Sequence, residues 1–566
     1  MMASELHIFL VRPTKYDDEG YLLRHWRGVL PSNTLACLRG LTERVATDGD
    51  LPGVSVRISC CDESVEAIPE KKIYEEQQRS GVKVLVGLVG VQTNQMPRAR
   101  DLALRLRDRG VDVLLGGFHV SGTRCGAGAP AEITELLAAG VTLVRGEVEE
   151  AWSRILRDAL RDELEPIYDL LGTLPDLSRA ALPSPDRRLM QKFVHSSFVT
   201  MDSSRGCPFS CSFCTIIQIQ GRKMRTRSPS RIAEMVEARH HPGGIDQYFF
   251  TDDDFARNPH WREILLELIR LREEEGKPIR FLMQSDLLAH RQKDFIELAR
   301  RAGCFQVFLG MESLDAEALA GAGKRQNRIA DYAATVRAWQ DAGIFVHAGY
   351  IVGFPHDTME SVRESVRRLR DEIGVDVASF FLLTPLAGSS DHTAALAAGV
   401  DIDEDLNRHD TFHAVTDPGG MSRTDAEAAY HAAWREFYSF EHRRRRLAAW
   451  PEDQRATLLQ NYLWYSCATR VEHFHPMMTG FVRLKPRRDR RPGLAIESLP
   501  RHLVRRVPEV TRMAGGYFRQ IRVAQRLWRA AGEGRKNRGW RDFLRHLLAG
   551  EAREAGSLGP AGSSQA

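Results

Sequence analysis

Ser204-Arg-Gly-Cys-Pro-Phe-Ser-Cys-Ser-Phe-Cys-Thr215 decides how this chain is read. It sets Cys207, Cys211 and Cys214 in a C-x3-C-x2-C run. Three thiolates so close together are soft ligands, suited to zinc or to an iron–sulfur cluster. A closed structural zinc site takes four tetrahedral ligands, and no nearby Cys or His pair completes the set. A cubane cluster has four irons, each needing an outside ligand, so three cysteines leave one iron open for chemistry. Three structural thiols and a zinc knuckle are the rival readings.

Outward from that run lies a series of strands and helices. Strands end at Asp202, Phe250, Met283, Leu309, Ile351 and Leu383, with helical patterns at Ser230–Arg239, His260–Glu275, Lys293–Ala302, Asn327–Ala342 and Thr358–Glu372. Such a series predicts an α/β fold, a partial (β/α)6 barrel, with reactive groups at the carboxyl ends of its strands. The cysteine run follows the first strand. Thr251-Asp252-Asp253-Asp254 follows the second, and three successive carboxylates are costly unless they meet a cation or solvent. A ligand ammonium, magnesium, a solvated turn and a helix N-cap are the readings for this segment. Gln284-Ser285-Asp286 ends the third strand, Gly310-Met-Glu312-Ser313 the fourth, Gly349-Tyr-Ile-Val352-Gly-Phe-Pro355 the fifth and Leu383-Thr-Pro-Leu-Ala-Gly-Ser389 the sixth.

In front of the barrel, candidate strands Ile8–Val11, Val54–Ile58, Val82–Val91, Val113–Leu115 and Val141–Val144 alternate with helices such as Pro97–Arg109 and Ala131–Ala139. This predicts a flavodoxin-like (Rossmann-type) parallel sheet covered on both faces, binding ligands beyond its carboxyl ends. Three loops fall there: Gln92-Thr93-Asn94-Gln95-Met-Pro97, Gly116-Gly117-Phe-His119-Val-Ser121 and Arg145-Gly146-Glu147. Their glycines permit close approach of the backbone to a large planar ligand.

Taken together, the cysteine spacing, Phe213 before the last cysteine and the ordered strand ends resemble the radical S-adenosylmethionine (SAM) superfamily, and the N-terminal loops resemble its cobalamin-binding members. The resemblance covers roughly residues 1–400. It implies a [4Fe–4S] cluster on the three cysteines, SAM on the open iron, and cobalamin on the N-terminal domain. It also implies that Phe213, Thr251, Asp252–Asp254, Gln284, Ser285, Glu312, Gly349 and Val352 lie near SAM. Thr93, Asn94, Gln95, Gly116, Gly117, His119, Gly146 and Glu147 would lie near the corrin. Gly117 stands where the cobalamin domains of mutases carry Asp before the ligating His, so His119 is expected to touch the corrin or its tail rather than cobalt. The implied reaction is methylation of an unactivated carbon through a 5′-deoxyadenosyl radical and methylcobalamin. A non-methylating rearrangement or oxidative cyclisation is the alternative, and a cobalamin or redox sensor the reading outside enzymes. The implied partners are a small-molecule or lipid substrate and an electron donor such as a flavodoxin or ferredoxin.

The 566 residues suffice for three or four domains. The expected division is 1–165 cobalamin-binding domain, 166–195 linker, 196–400 barrel, 401–550 helical domain and 551–566 disordered tail, the last from its Gly/Ser-rich composition. A content of 43% hydrophobic and 27% charged residues is ordinary for a globular protein. Nine cysteines without a regular framework or an export signal argue for reduced thiols in the cytoplasm. Helical patterns Thr424–Phe437 and Asp453–Ala468 dominate the last third, where charge is lopsided: Arg443–Arg446 and Arg487–Arg491 are basic blocks. In Tyr517–Arg529, apolar Phe518, Ile521, Ala524 and Trp528 share a helix with Arg519, Arg522, Arg526 and Arg529. A basic amphipathic helix of this kind can lie on an anionic membrane surface, suiting a lipid substrate. Aromatic residues do not interleave in the manner of base stacking, so nucleic acid is not the expected partner.

Overall fold

The protein is described by a computed structural model covering residues 4–126, 128–239 and 244–532. The expected tail at 551–566 and the end of the expected helical domain lie outside the described residues.

The first sheet is built from β1 (Glu5–Arg12), β2 (Ser55–Asp62), β3 (Val82–Leu88), β4 (Asp112–Gly116), β5 (Thr142–Arg145) and β6 (Ile167–Asp169). All pairings are parallel, in the order β2-β1-β3-β4-β5-β6. Successive side chains of a strand point to opposite faces, and here both faces are apolar. Phe9 and Val11 pack on one side with Leu102, Leu106 and Leu136. Leu6, Ile8 and Leu10 pack on the other with Leu35, Leu41, Ile155 and Leu156. Helices cover both layers, among them α1 (Asn33–Thr47) and α2 (Met96–Arg107). The sixth strand corrects the expected linker at 166–195, since Ile167–Asp169 pairs with β5 at the sheet edge. A three-residue strand is too short to show a period.

The second sheet holds β7 (Phe198–Met201), β8 (Gln247–Phe250), β9 (Arg280–Ser285), β10 (Cys304–Glu312), β11 (Phe345–Val352) and β12 (Val377–Leu382). They pair in parallel and in sequence order, and β7 and β12 are not joined, so the sheet is a half-barrel. The helix expected over Asn327–Ala342 begins at Tyr332 after a 3-10 turn. Asn327 is held earlier as a clasp on the end of β10: its amide donates to the carbonyls of Gly310 and Met311 at 2.9 and 3.0 Å.

Helices α3 (Arg423–Phe437), α4 (Glu452–Cys467) and α5 (Leu499–Ala531) dominate the C-terminal region. Tyr438 locks this layer to the half-barrel by donating to the Ala378 carbonyl at 2.7 Å and accepting from its amide at 3.1 Å. The region is not wholly helical: Phe481–Leu484 pairs antiparallel with Arg24–Arg27 from near the start of the chain. A strand partner so remote in sequence leaves no local signature.

Candidate active site

The cysteine loop leaves the half-barrel after β7 and is closed at its base by a short antiparallel pair, Ser204–Arg205 against Arg225–Thr226. Backbone amides approach the sulfurs: those of Phe209 at Cys207 and of Ile216 and Ile217 at Cys214. Gln326 Nε2 lies 3.9 Å from Cys211 Sγ. Burial foremost, then the nearby Asp254 and Asp253, pushes the Cys207 thiol up to about 12, and burial with Asp253 pushes Cys214 up to about 11. Burial also raises Cys211. Burial thus disfavours the thiolate form at all three cysteines, and Lys324 offsets it in part at Cys211. A donor set of three cysteines, with amides aimed at sulfur, fits the chemistry of an iron–sulfur cluster. Among the described residues, no three His, Cys, Asp or Glu side chains converge on a single metal ion.

Two cavities flank the loop. The first, of about 380 Å³, lies where the carboxyl ends of β3, β4 and β5 meet the base of the loop, and Gly90, Gly116, Gly117, Gly146, Arg205, Ile216 and Asp253 are among its walls. The second, of about 360 Å³, opens inside the half-barrel between Phe213, Gln284, Phe308, Glu312, His347, Ile351, Phe381 and Tyr465. Phe213 faces one cavity and Ile216 the other, with Cys214 between them in the chain.

Several predicted residues serve these walls differently from the expectation. Gly116, Gly117 and Gly146 line the first cavity. At Gly117, φ is +144° and a Cβ would sit 2.1 Å from the Val91 amide nitrogen, so the close approach of the two loops demands glycine. Thr93, Asn94, Gln95 and His119 do not line it. Gln95 instead bridges the Gln92 amide and the Pro13 carbonyl, at 2.9 and 2.8 Å. His119 is buried, 3.4 Å from Thr93 and 3.5 Å from Glu132. Its neighbours Gln92 and Phe118 face the cavity in their place. Glu147 lines the cavity, but its carboxylate is taken by Arg205 and Arg225.

The acidic strand end divides its labour. Thr251 donates from its amide to the Met201 carbonyl at 2.8 Å and walls the first cavity. Asp252 is fully buried and accepts from the Ser203 amide at 2.9 Å and from the Ser203 and Ser204 hydroxyls at 2.5 Å each. It therefore braces β8 to the loop base. Burial foremost, then Asp252, lifts Asp253 to about 7, and Asp253 faces the first cavity. Asp254 accepts from the Asp286 amide at 3.2 Å, and burial with the Asp286 carboxylate raises it. Arg257 pairs with Asp286. Ser285 Oγ, at the end of β9, is buried without a hydrogen-bond partner.

On β10, Glu312 sits at φ +63°, where the register with β11 shifts. Its carboxylate pairs with Lys324, a residue the sequence reading missed. Burial alone would lower Lys324, but Glu312 and then Cys211 outweigh it and raise the ammonium. A Cβ at Gly310 would lie 2.4 Å from Glu312 Oε1 and 2.8 Å from Lys324 Nζ, so the pair sits directly over this glycine. On β11, Gly349 packs against the Phe308 ring, and Ile351 faces the second cavity. Val352 is buried in the core and lines neither cavity.

Comparison with known proteins agrees with this arrangement. The family model described as the radical SAM superfamily matches residues 201–369. Bacteriochlorophyllide d C-12(1)-methyltransferase of Chlorobaculum tepidum is 25% identical over 324 residues, 56% of this chain and 66% of that protein. Hopanoid C-2 methylase of Rhodopseudomonas palustris is 27% identical over 282 residues, 49% of this chain and 50% of that protein. The chain thus spans less than two thirds of the length of either relative. Among solved structures, the cobalamin-dependent SAM radical enzyme OxsB, with aqua-cobalamin and SAM bound, superposes with a TM-score of 0.56 at 13% identity, covering 96% of this chain and 80% of that one. The radical SAM methyltransferase TsrM from Kitasatospora setae does so at 0.51 and 20% identity, covering 70% and 77%. At such identities the likeness is one of fold. Residues 201–369, which make up most of the half-barrel and carry the three cysteines in the loop after its first strand, are therefore a radical SAM domain.

Proposed function

We propose that the chain is a cobalamin-dependent radical SAM C-methyltransferase, and the observation that carries the reading is the pair of cavities on either side of the cysteine loop. Cys207, Cys211 and Cys214 would hold a [4Fe–4S] cluster. The glycine-lined walls at Gly116, Gly117 and Gly146 would receive the corrin, and the half-barrel cavity would receive substrate beside SAM. When bound, cluster and SAM supply one-electron initiation and cobalamin supplies the methyl group.

The chain's own residues do the rest. Asp253, on the wall of the first cavity, offers a carboxyl that ionises when a cation approaches. Lys324 pairs with the Glu312 carboxylate and fixes it at the cavity wall. Phe213, Phe308, Ile351 and Phe381 give the second cavity apolar walls, which offer a radical few hydrogen-bonding or acidic neighbours. His347, hydrogen-bonded to Ser379 at 2.9 Å, and Gln306 give this apolar space a polar end. The substrate is accordingly an apolar carbon framework with a hydrogen-bonding group. The partners of this reading are an external one-electron donor and a reducing, cytoplasmic setting.

The test is metal content followed by product analysis. Protein purified without oxygen from cells supplied with cobalamin, then reconstituted, should hold about one cobalt and four irons. It should also move label from methyl-labelled SAM to carbon. Iron without cobalt would keep the radical SAM domain and sink the methyl-transfer reading. Both metals without label transfer would favour a rearrangement or cyclisation.

A further inference from the structure

Helix α5 leaves one of its faces uncovered. Its inner face is seated by His502, Gly516, Ala524, Leu527, Trp528 and Ala531, all buried. Beside that face runs a second apolar stripe: Leu499, Leu503, Val507, Val510, Ala514 and Phe518, at steps of four, four, three, four and four residues. Steps of three and four keep side chains on one side of a helix. All six are exposed, Leu499 at 57%, Val507 at 60% and Phe518 at 58% among them, and Val504 beside them is 75% exposed. At 1.5 Å per residue the stripe is about 29 Å long. Leu494 and Ile496, just before the helix, add to it at 44% and 55% exposure.

The remaining outer surface is cationic. Arg501, Arg512, Arg519, Arg522, Arg526 and Arg529 are exposed. At about 100° per residue they fall on the arc following the stripe, on the side away from the buried face. The one acid of the helix, Glu509, is engaged by Lys485 at 2.9 Å and Arg506 at 2.8 Å. No helix among the described residues is long and apolar enough to cross a membrane.

We propose that the outer face of α5 docks on an anionic lipid surface, with the Leu499–Phe518 stripe in the acyl boundary and the flanking arginines on the headgroups. Charge selects this occupant. A second copy of the chain would bring one arginine row against another, which repels, whereas anionic headgroups complement the row and the stripe gains from apolar burial. The inference does not depend on the cofactors, so it can fail while the proposed function stands, and the reverse.

The experiment is co-sedimentation of the full chain with vesicles of phosphatidylcholine alone or with 30% (roughly the anionic fraction of a cytoplasmic leaflet) phosphatidylglycerol, read beside sedimentation velocity of the free chain. Binding is expected only to the anionic vesicles and should weaken with salt. R512E/R519E/R522E should lower the affinity by more than about a hundredfold. L503D/V507D should abolish binding with an unchanged far-UV spectrum, since both positions are exposed. Equal binding to neutral vesicles, or binding untouched by either variant, would overturn the proposal. So would a dimer that L503D/V507D converts to monomer without any binding to vesicles, because the stripe would then belong to a second copy.

Discussion

Glu147, at the carboxyl end of the N-terminal sheet, accepts from Arg205 at 2.6 Å, and Arg205 stands two residues before Cys207. The same carboxylate accepts from Arg225 at 2.9 and 2.5 Å, and Arg225 is the register partner of Arg205. One side chain of the first sheet thus clamps both ends of the cysteine loop. Arg205 is further held by Glu149 at 2.5 Å and Asp202 at 3.0 Å. The position of the loop relative to the first cavity is set by this buried network.

Removing Glu147 leaves Arg225 with carbonyl oxygens only and Arg205 with part of its countercharge. Breaking a buried pair from one side costs about 3–5 kcal/mol. E147A should therefore lower the unfolding free energy in urea by about 3 kcal/mol or more. E147A/R225M should recover part of that loss, because it removes the stranded cation too. Additive losses in this cycle would mean that the clamp carries no coupling.

The strands that face a core on both sides were legible as continuous apolar runs, and the βα alternation fixed both parallel sheets. The phase within such strands was not. β11 reads Phe-Val-His-Ala-Gly-Tyr-Ile-Val and is buried at every position, so no polar alternation says which residues face the cavity. Ile351 lines the second cavity, whereas Val352, one residue on, is buried in the core. The cysteine loop and the acidic strand end were found because their residue types are costly unless they are used. Lys324 and the Glu147 clamp were not found because their partners are set by tertiary approach, twelve residues apart in one case and more than fifty in the other.

Lys324 carries a consequence for the candidate cluster. It is part-buried, pairs with the Glu312 carboxylate, feels the Cys211 sulfur and lies 5.9 Å from the Phe213 ring centre. K324M takes the charge partner from the part-buried Glu312 carboxylate, which can still be solvated from the second cavity, and should cost about 1–3 kcal/mol. It also removes a positive charge beside the cluster ligands, so the midpoint potential of the reconstituted protein should fall. K324R should restore most of the potential. Potentiometric titration followed by EPR separates this from a purely structural loss, which would leave the potential of the folded fraction unchanged.

His413 predicts a pH dependence well away from the cysteines. Burial opposes its charge, but Asp18 at 3.3 Å and Asp410 at 2.9 Å raise it to about 9. A histidine raised above its unfolded value near 6.5 stabilises the fold fully below that value and loses the contribution as pH climbs through 9. The wild-type chain should therefore lose stability between about pH 6.5 and 9, with a slope approaching 1.4 kcal/mol per unit from this group. H413L should flatten the profile in that window and be less stable at pH 6. An unchanged slope in H413L would assign the titration elsewhere.

The metal-free cysteines give the last prediction. Cys207 and Cys214 are pushed up to about 12 and about 11, chiefly by burial, so at pH 8 both are thiols. The thiolate is the reactive form, and its fraction grows about tenfold per pH unit below the pKa. Iodoacetamide labelling of the apo-protein, read peptide by peptide by mass spectrometry, should therefore be slow at pH 8 and climb about tenfold per unit toward pH 10 at both residues. Cluster assembly must displace these protons, so reconstitution in weak buffer should release acid. After reconstitution, Cys207, Cys211 and Cys214 should resist labelling at every pH in that range. Rapid labelling of Cys207 or Cys214 at pH 8 would show ready-formed thiolates, and the loop would then need a cation of its own before any metal arrives.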